Sequence, residues 1–285
     1  MVWQTSSSVS APEARNGARP AGASAWFAPG LLAGEVAVVT GGASGIGFGI
    51  ASTFADLGCD IVLASRSEER LAAAASQLAS TSGRLCSTFV CDVRDEEALD
   101  RLRDEVGRRY GPATILVNNA AANFSMAAER MTRRALGTVL EVDLVGTFNA
   151  TRAFVGPMLE RRRGTILNVV IAEPERGFPG YAHAGAAKAG ILSLTRTWAR
   201  EWGGHGIRVN ALAPGPVPTE GVASNMLGLP ESEQSQAFAG VAGKLALGRL
   251  GTADDCAAAA VFLCSPAASW ITGTSLVVDG GLHIA

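Results

Sequence analysis

From residue 35 to residue 279, short apolar runs alternate with segments of helical length, and that alternation leaves few folds open. EVAVVT (35–40), DIVLAS (60–65), STFVCDV (87–93), TILVNNA (114–120), GTILNVVI (164–171), IRVNALA (207–213) and SLVVD (275–279) read as buried strands. Between them lie a glycine turn over 41–47 leading into a helix through Leu57, a helix over 67–79 with Ser67 as its N-cap, and a charged helix over 95–109. One long helix over 132–162, then helices over 182–202 and 253–264, complete the series. Strands joined by helices of this length pair in parallel, because a parallel crossover needs about a dozen residues or more. The expected fold is α/β: one doubly wound parallel sheet over residues 31–285, with helices on both faces. A chain of 285 residues with 48% apolar composition can bury one core of that size. Residues 1–30 are rich in Ser, Ala, Pro and Arg, lack periodicity and read as a disordered leader, with Trp26 and Phe27 anchoring its end.

Charge and cysteine usage exclude several classes of function. A net charge of −2 gives no basic surface for nucleic acid. No apolar run reaches the roughly 18 residues of a membrane-spanning helix. Five cysteines without a C-x-x-C pair read as reduced thiols, so neither disulfides nor a metal site is expected. Two lysines stand against twenty-two arginines, a bias that with the heavy use of Ala and Gly suggests a GC-rich coding genome and a cytoplasmic protein.

The first chemical signal is the turn Gly41-Gly42-Ala43-Ser44-Gly45-Ile46-Gly47, which follows a strand and opens a helix. Gly41, Gly45 and Gly47 let the chain turn tightly and let a pyrophosphate approach the backbone, while Ser44, Ile46 and the helix N-terminus frame it. In this strand–turn–helix setting the turn reads as a dinucleotide site. The second strand ends at Ser65-Arg66, where an NAD site usually carries a carboxylate for the ribose hydroxyl. Arg66 suits a 2′-phosphate that a carboxylate would repel, so the expected cofactor is NADPH.

Thr40-Gly41-xxx-Gly45-Ile46-Gly47, Asp92-Val93, Asn118-Asn119-Ala120, Pro214-Gly215 with Thr219, and Asp279-Gly280-Gly281 resemble, in order and spacing, the short-chain dehydrogenase/reductases over about residues 34–281. The resemblance implies a single Rossmann-type domain, with Asp92 and Val93 at the adenine and Asn119 and Ala120 lining the cofactor. It also implies Lys188 on the nicotinamide ribose, Pro214, Gly215, Val217 and Thr219 along the carboxamide and phosphates, and a homotetramer. That family reduces carbonyls with a Tyr-x-x-x-Lys pair, yet here Ala184 stands four residues before Lys188, and the family's serine position holds Ile171.

A narrower resemblance accounts for that gap. Asn118-Asn119-Ala120-Ala121 with Asn123-Phe124, His183-Ala184-Gly185-x-Ala187-Lys188, Pro214-Gly215-Pro216 with Thr219-Glu220-Gly221, and Gly248-Arg249-Leu250-Gly251 look like 2,4-dienoyl-CoA reductases of the peroxisomal type. The resemblance implies an acyl-CoA substrate meeting Asn123 and Phe124, and a catalytic pair Asp143 and Lys188 acting through water. The chemistry agrees. Ketone reduction needs a proton donor at oxygen, whereas reducing a C=C conjugated to a thioester stabilises an enolate and finally protonates carbon.

Two residues depart from the resemblance or add to it. Where the mitochondrial type of this enzyme has a substrate-binding tyrosine, fifteen residues before the lysine, this chain has Glu173, and Tyr181 precedes Ala184 by three residues. Both are further candidates for the catalytic site. Three readings stay open beside dienoyl-CoA reduction: a cyclic enoyl-CoA reductase of a specialised pathway, an atypical alcohol dehydrogenase using Tyr181, and an NADPH-binding pseudoenzyme. His183 reads as a packing residue.

Overall fold

In the parallel strands every second residue faces one layer of helices and the rest face the other, so both faces must be apolar. The computed structural model of the chain describes residues 22–82, 86–172, 177–219 and 239–284. Its strands are β1 (Val36–Thr40), β2 (Asp60–Ser65), β3 (Cys86–Val90), β4 (Ile115–Asn118), β5 (Gly164–Val169), β6 (Ile207–Pro214) and β7 (Ser275–Val278). They form one parallel sheet in the order β3-β2-β1-β4-β5-β6-β7. The helices are α1 (Gly45–Asp56), α2 (Glu68–Ser82), α3 (Glu96–Tyr110), α4 (Arg133–Leu140), α5 (Gly146–Arg161), α6 (Ala182–Trp202) and α7 (Ala253–Cys264). The doubly wound sheet expected from the apolar runs is present.

Burial follows the alternation residue by residue. Ala37 and Val39 of β1, Ile61 and Leu63 of β2, and Ile115 and Val117 of β4 enter one core with α1, α2 and α7. Val36, Val38, Val62, Ala64 and Leu116 enter the other, with α3, α5 and α6. Strands buried on both faces in this way need near-continuous apolar sequence, which is why they stand out as runs. The helices carry their own stops. Ser67 caps α2 through a bond from the Arg70 N–H, Asp95 caps α3, and Thr252 with Asp255 forms a reciprocal cap on α7.

Two expectations are corrected. The fold begins before residue 30: Ala23–Trp26 form a single 3-10 turn, and Ala23, 2% exposed, packs into the α1–α7 core. Ala23 is the anchor there because it is small and apolar, with Phe27 packed beside it; Trp26 is largely exposed. Residues 1–21 lie outside the described residues. Second, the helix expected over 132–162 is two α-helices joined by a π-helical turn at Glu141–Val145. All five cysteines are free thiols, and no metal-ligating cluster occurs among the described residues. No described helix is long and apolar enough to cross a membrane.

Candidate active site

The glycine turn lies where the strand order reverses. β1 and β4 are neighbours in the sheet although their crossovers run to opposite sides, and the carboxyl ends of such strands open a crevice. Gly41 leaves β1 with φ +63°, and a Cβ on it would stand 2.9 Å from the Ala120 Cα. A Cβ on Gly47 would stand 2.4 Å from Asn119 Nδ2. Asn119 is what crowds both: its amide donates to the Thr40 and Gly41 carbonyls at 3.3 and 3.0 Å. The Thr40 hydroxyl accepts from the Asn119 and Ala120 N–H groups, so β4 holds the turn open.

A cavity of about 340 Å³ surrounds the turn. Gly41, Ser44, Gly45 and Ile46 form one wall, Asn119, Ala120 and Thr219 another, and Ser65, Arg66, Asp92 and Val93 a third. The Ser44 side chain makes no cap bond, leaving the first-turn N–H groups of α1 uncapped by it. Arg70, one turn beyond Arg66, lines the cavity as well; no motif singles it out, and only the path of α2 brings it there. The Arg94 guanidinium beside Asp92, at 2.6 Å, holds the Asp92 carboxyl below the usual range, and Arg66 adds to the effect. Close backbone approach, a helix N-terminus and two arginines at the β2 end fit a phosphorylated dinucleotide. Pro214, Gly215, Val217, Gly47 and Lys188 do not line this cavity. Gly215 lies against β7, where a Cβ would meet the Asp279 Cα at 2.5 Å, and Val217 is buried.

The second half of the site lies beyond β4 and β5. Its wider π-helical turn carries Asp143, 1% exposed, toward α6 and Lys188, 7% exposed. Lys188 Nζ donates to Asp143 Oδ2 at 3.1 Å and to the Val169 carbonyl at 3.1 Å. The other carboxylate oxygen accepts from the Ala122 N–H at 2.7 Å. This pair therefore joins α6, the π turn, the end of β5 and the segment after β4. Removing either partner would leave the other as a buried unpaired charge.

Ala184, one turn before Lys188, is buried in a small apolar cluster with Val139 and Ala187, against which Phe124 and Tyr181 pack. Tyr181 takes the N-cap position of α6. His183 is fully buried, with its ring edge-to-face against Phe124 at 4.6 Å. Asn123, next to Phe124, keeps its side-chain oxygen buried. Glu173 lies outside the described residues.

Known proteins resemble the chain in sequence and in fold. Residues 41–283 match the family model described as enoyl-(acyl carrier protein) reductase. A peroxisomal 2,4-dienoyl-CoA reductase from Danio rerio is 41% identical over 256 residues, covering 90% of this chain and 83% of that one. The Rattus norvegicus enzyme of the same name is 40% identical, covering 90% and 86%. Among solved structures, a short chain dehydrogenase from Bacillus anthracis superposes with a TM-score of 0.79 at 34% identity, covering 89% of this chain and 98% of that one. With the glycine turn, the reversal point and the matched length on one frame, the chain belongs to the short-chain dehydrogenase/reductase family, whose fold implies a nicotinamide cofactor.

Proposed function

We propose that the chain is an NADPH-dependent reductase of a carbon–carbon double bond conjugated to an acyl-CoA thioester, a 2,4-dienoyl-CoA reductase. The observation that carries this reading is the buried Asp143–Lys188 pair, with Ala184 one turn away where a carbonyl reductase would need a phenol. The names of the relatives support the substrate class. Arg66 and Arg70 at the end of β2, with Ser65 in place of a carboxylate, support NADPH over NADH.

A bound nicotinamide supplies hydride to the conjugated acyl chain. The protein's own task is to stabilise the negative charge then spread toward the thioester oxygen and to return a proton to carbon. Lys188, anchored to the Val169 carbonyl, brings positive charge to that end of the crevice. Asp143, held by Ala122 and Lys188, is fixed to position the water that protonates carbon. Asn123 and Phe124 follow Ala122 directly, and the likeness to dienoyl-CoA reductases supports a role for them in meeting the acyl thioester. The family's homotetramer is proposed as well, supported by exposed Phe148 beside the stacked pair Trp198 and Trp202 on the α5–α6 surface.

The test is NADPH oxidation against a panel of dienoyl-, enoyl- and ketoacyl-CoA esters, with products identified by mass and NMR. Reduced alkene products from dienoyl thioesters are expected. A hydroxyacyl product, or oxidation of NADPH by none of the thioesters, overturns the reading.

A further inference from the structure

His183 lies outside every role derived so far, yet its environment is built with care. It stands in the first turn of α6, the helix that carries Lys188, and it is fully buried. Its Nδ1 accepts a hydrogen bond from the Ala184 N–H at 2.7 Å. A ring nitrogen that accepts carries no proton, so the ring is the neutral tautomer with its proton on Nε2. That Nε2 is buried and completes no hydrogen bond among the described residues. Buried polar groups left in that state are rare enough to require an explanation.

The ring is pressed against the segment that anchors Asp143. Its edge-to-face contact is with Phe124, two residues after Ala122, whose N–H holds the Asp143 carboxylate. Burial pushes the imidazole pKa down, opposed by the Phe124 carbonyl and the Asp143 charge. Around the ring, Asp143 reaches it from the π turn and Lys188 lies on its own helix. The adjoining segment 120–124 contributes no charged residue, and α4 contributes Val139 and Leu140. The apolar cluster includes one further titratable neighbour, Tyr181.

We propose that His183 is a positioning residue for the Asp143–Lys188 pair: an imidazole, neutral at neutral pH, that fixes the Ala122–Phe124 segment and, through it, the Asp143 carboxylate. The proposal rests on the reductase reading above. Protonation would turn Nδ1 from acceptor to donor against the Ala184 N–H. It would also place a second cation in reach of Asp143, in competition with Lys188. Turnover is therefore full while the ring is neutral and falls as pH drops below 6.5 toward the depressed pKa of the buried ring.

His183→Asn and His183→Gln test this, the first keeping an acceptor near the Nδ1 position and the second a donor near the Nε2 position. Both are assayed on full-length protein with NADPH and the dienoyl thioester that the native chain reduces. The expected result is a fall in kcat of up to about 10²-fold, as for a misplaced catalytic group, with the NADPH dissociation constant unchanged. The fall in kcat below pH 6.5 should also be absent from both variants. In 15N-histidine-labelled native protein, with its three histidines assigned by substitution, His183 should show an unprotonated Nδ1 and a protonated Nε2 across neutral pH.

Native kcat and the native acid limb in either folded variant overturn the proposal, as does a lowered melting temperature with kcat and pH profile intact. A protonated Nδ1 in the native spectrum overturns it without any assay. If one variant fails to fold, the other and the native spectrum decide. A native chain that reduces no thioester on the panel is the separate failure of the reductase reading, and this proposal falls with it.

Discussion

On the proposed reading, single charged groups decide both the cofactor and the chemistry. Arg66→Ala should raise the KM for NADPH by roughly 10- to 100-fold and leave NADH use nearly unchanged, since a charged hydrogen bond is worth about 1.5–3 kcal/mol. Steady-state kinetics with both cofactors checks it. Equal native efficiency with NADH and NADPH would remove the premise. Asp143→Ala should lower kcat by about 10²–10⁴-fold, the usual worth of positioned acid–base help, with NADPH affinity nearly unchanged by fluorescence titration. Lys188→Ala should harm turnover and cofactor binding together. Ala184→Tyr, which writes the family's tyrosine back into the chain, should not create a ketone reductase. Ala184 is buried between Val139 and Ala187, and overfilling such a site costs about 1–3 kcal/mol. A lowered melting temperature with no hydroxyacyl product is the expected outcome, read by thermal denaturation and by mass analysis.

At the scale of the elements, the capped start of α7 is the most exposed to test. Thr252 and Asp255 bond each other's backbone N–H groups, and Arg249 donates to both Asp255 oxygens at 2.8 and 2.9 Å. Burial alone would raise the Asp255 pKa, but the bonds from Arg249 and Thr252 outweigh it and hold the carboxyl well below the ordinary value. A depressed carboxylate lends stability that is complete above its unfolded pKa and disappears as pH falls through the folded one. Asp255→Ala should therefore lower stability by about 1–2 kcal/mol at neutral pH, read by denaturant melts, with the deficit shrinking in strong acid.

Most element boundaries were legible because buried parallel strands are bare apolar runs and the helices between them carry their caps in sequence. Helices α6 and α7 begin and end where their patterns do. The π turn was not legible. EVDLV carries no glycine or proline to mark it, and its setting is tertiary: Gly146 comes so near β3's exit loop that a Cβ would meet Val93 Cγ2 at 2.4 Å. Arg70 was equally silent, because on its own it reads as a solvated helix residue. Asp143 and Lys188 were nameable only by resemblance; their ion pair and the Ala122 bond that completes it depend on that unannounced turn.

For the molecule as a whole, the start of the fold is the first thing to test. A chain beginning at Pro29 lacks the buried Ala23 and the Ser24–Asp56 hydrogen bond that tie the 3-10 turn to α1 and α7. It should melt at lower temperature while still binding NADPH, which calorimetry and titration will show. The proposed tetramer is checked in the same preparations: Phe148→Asp should shift the sedimentation coefficient toward smaller species without altering helix content. The five thiols offer one more consequence. Cys59, Cys256 and Cys264 sit in the core on one side of the sheet, and Cys91 in the core on the other. Burial raises the Cys91 thiol to about 11 and those of Cys256 and Cys264 to about 12, so the native chain presents almost no reactive thiolate. Alkylation of the four buried thiols then waits on structural opening, and each of them becomes a clock. Mass-resolved labelling rates would show whether the two halves of the protein breathe together or one layer parts from the sheet before the other.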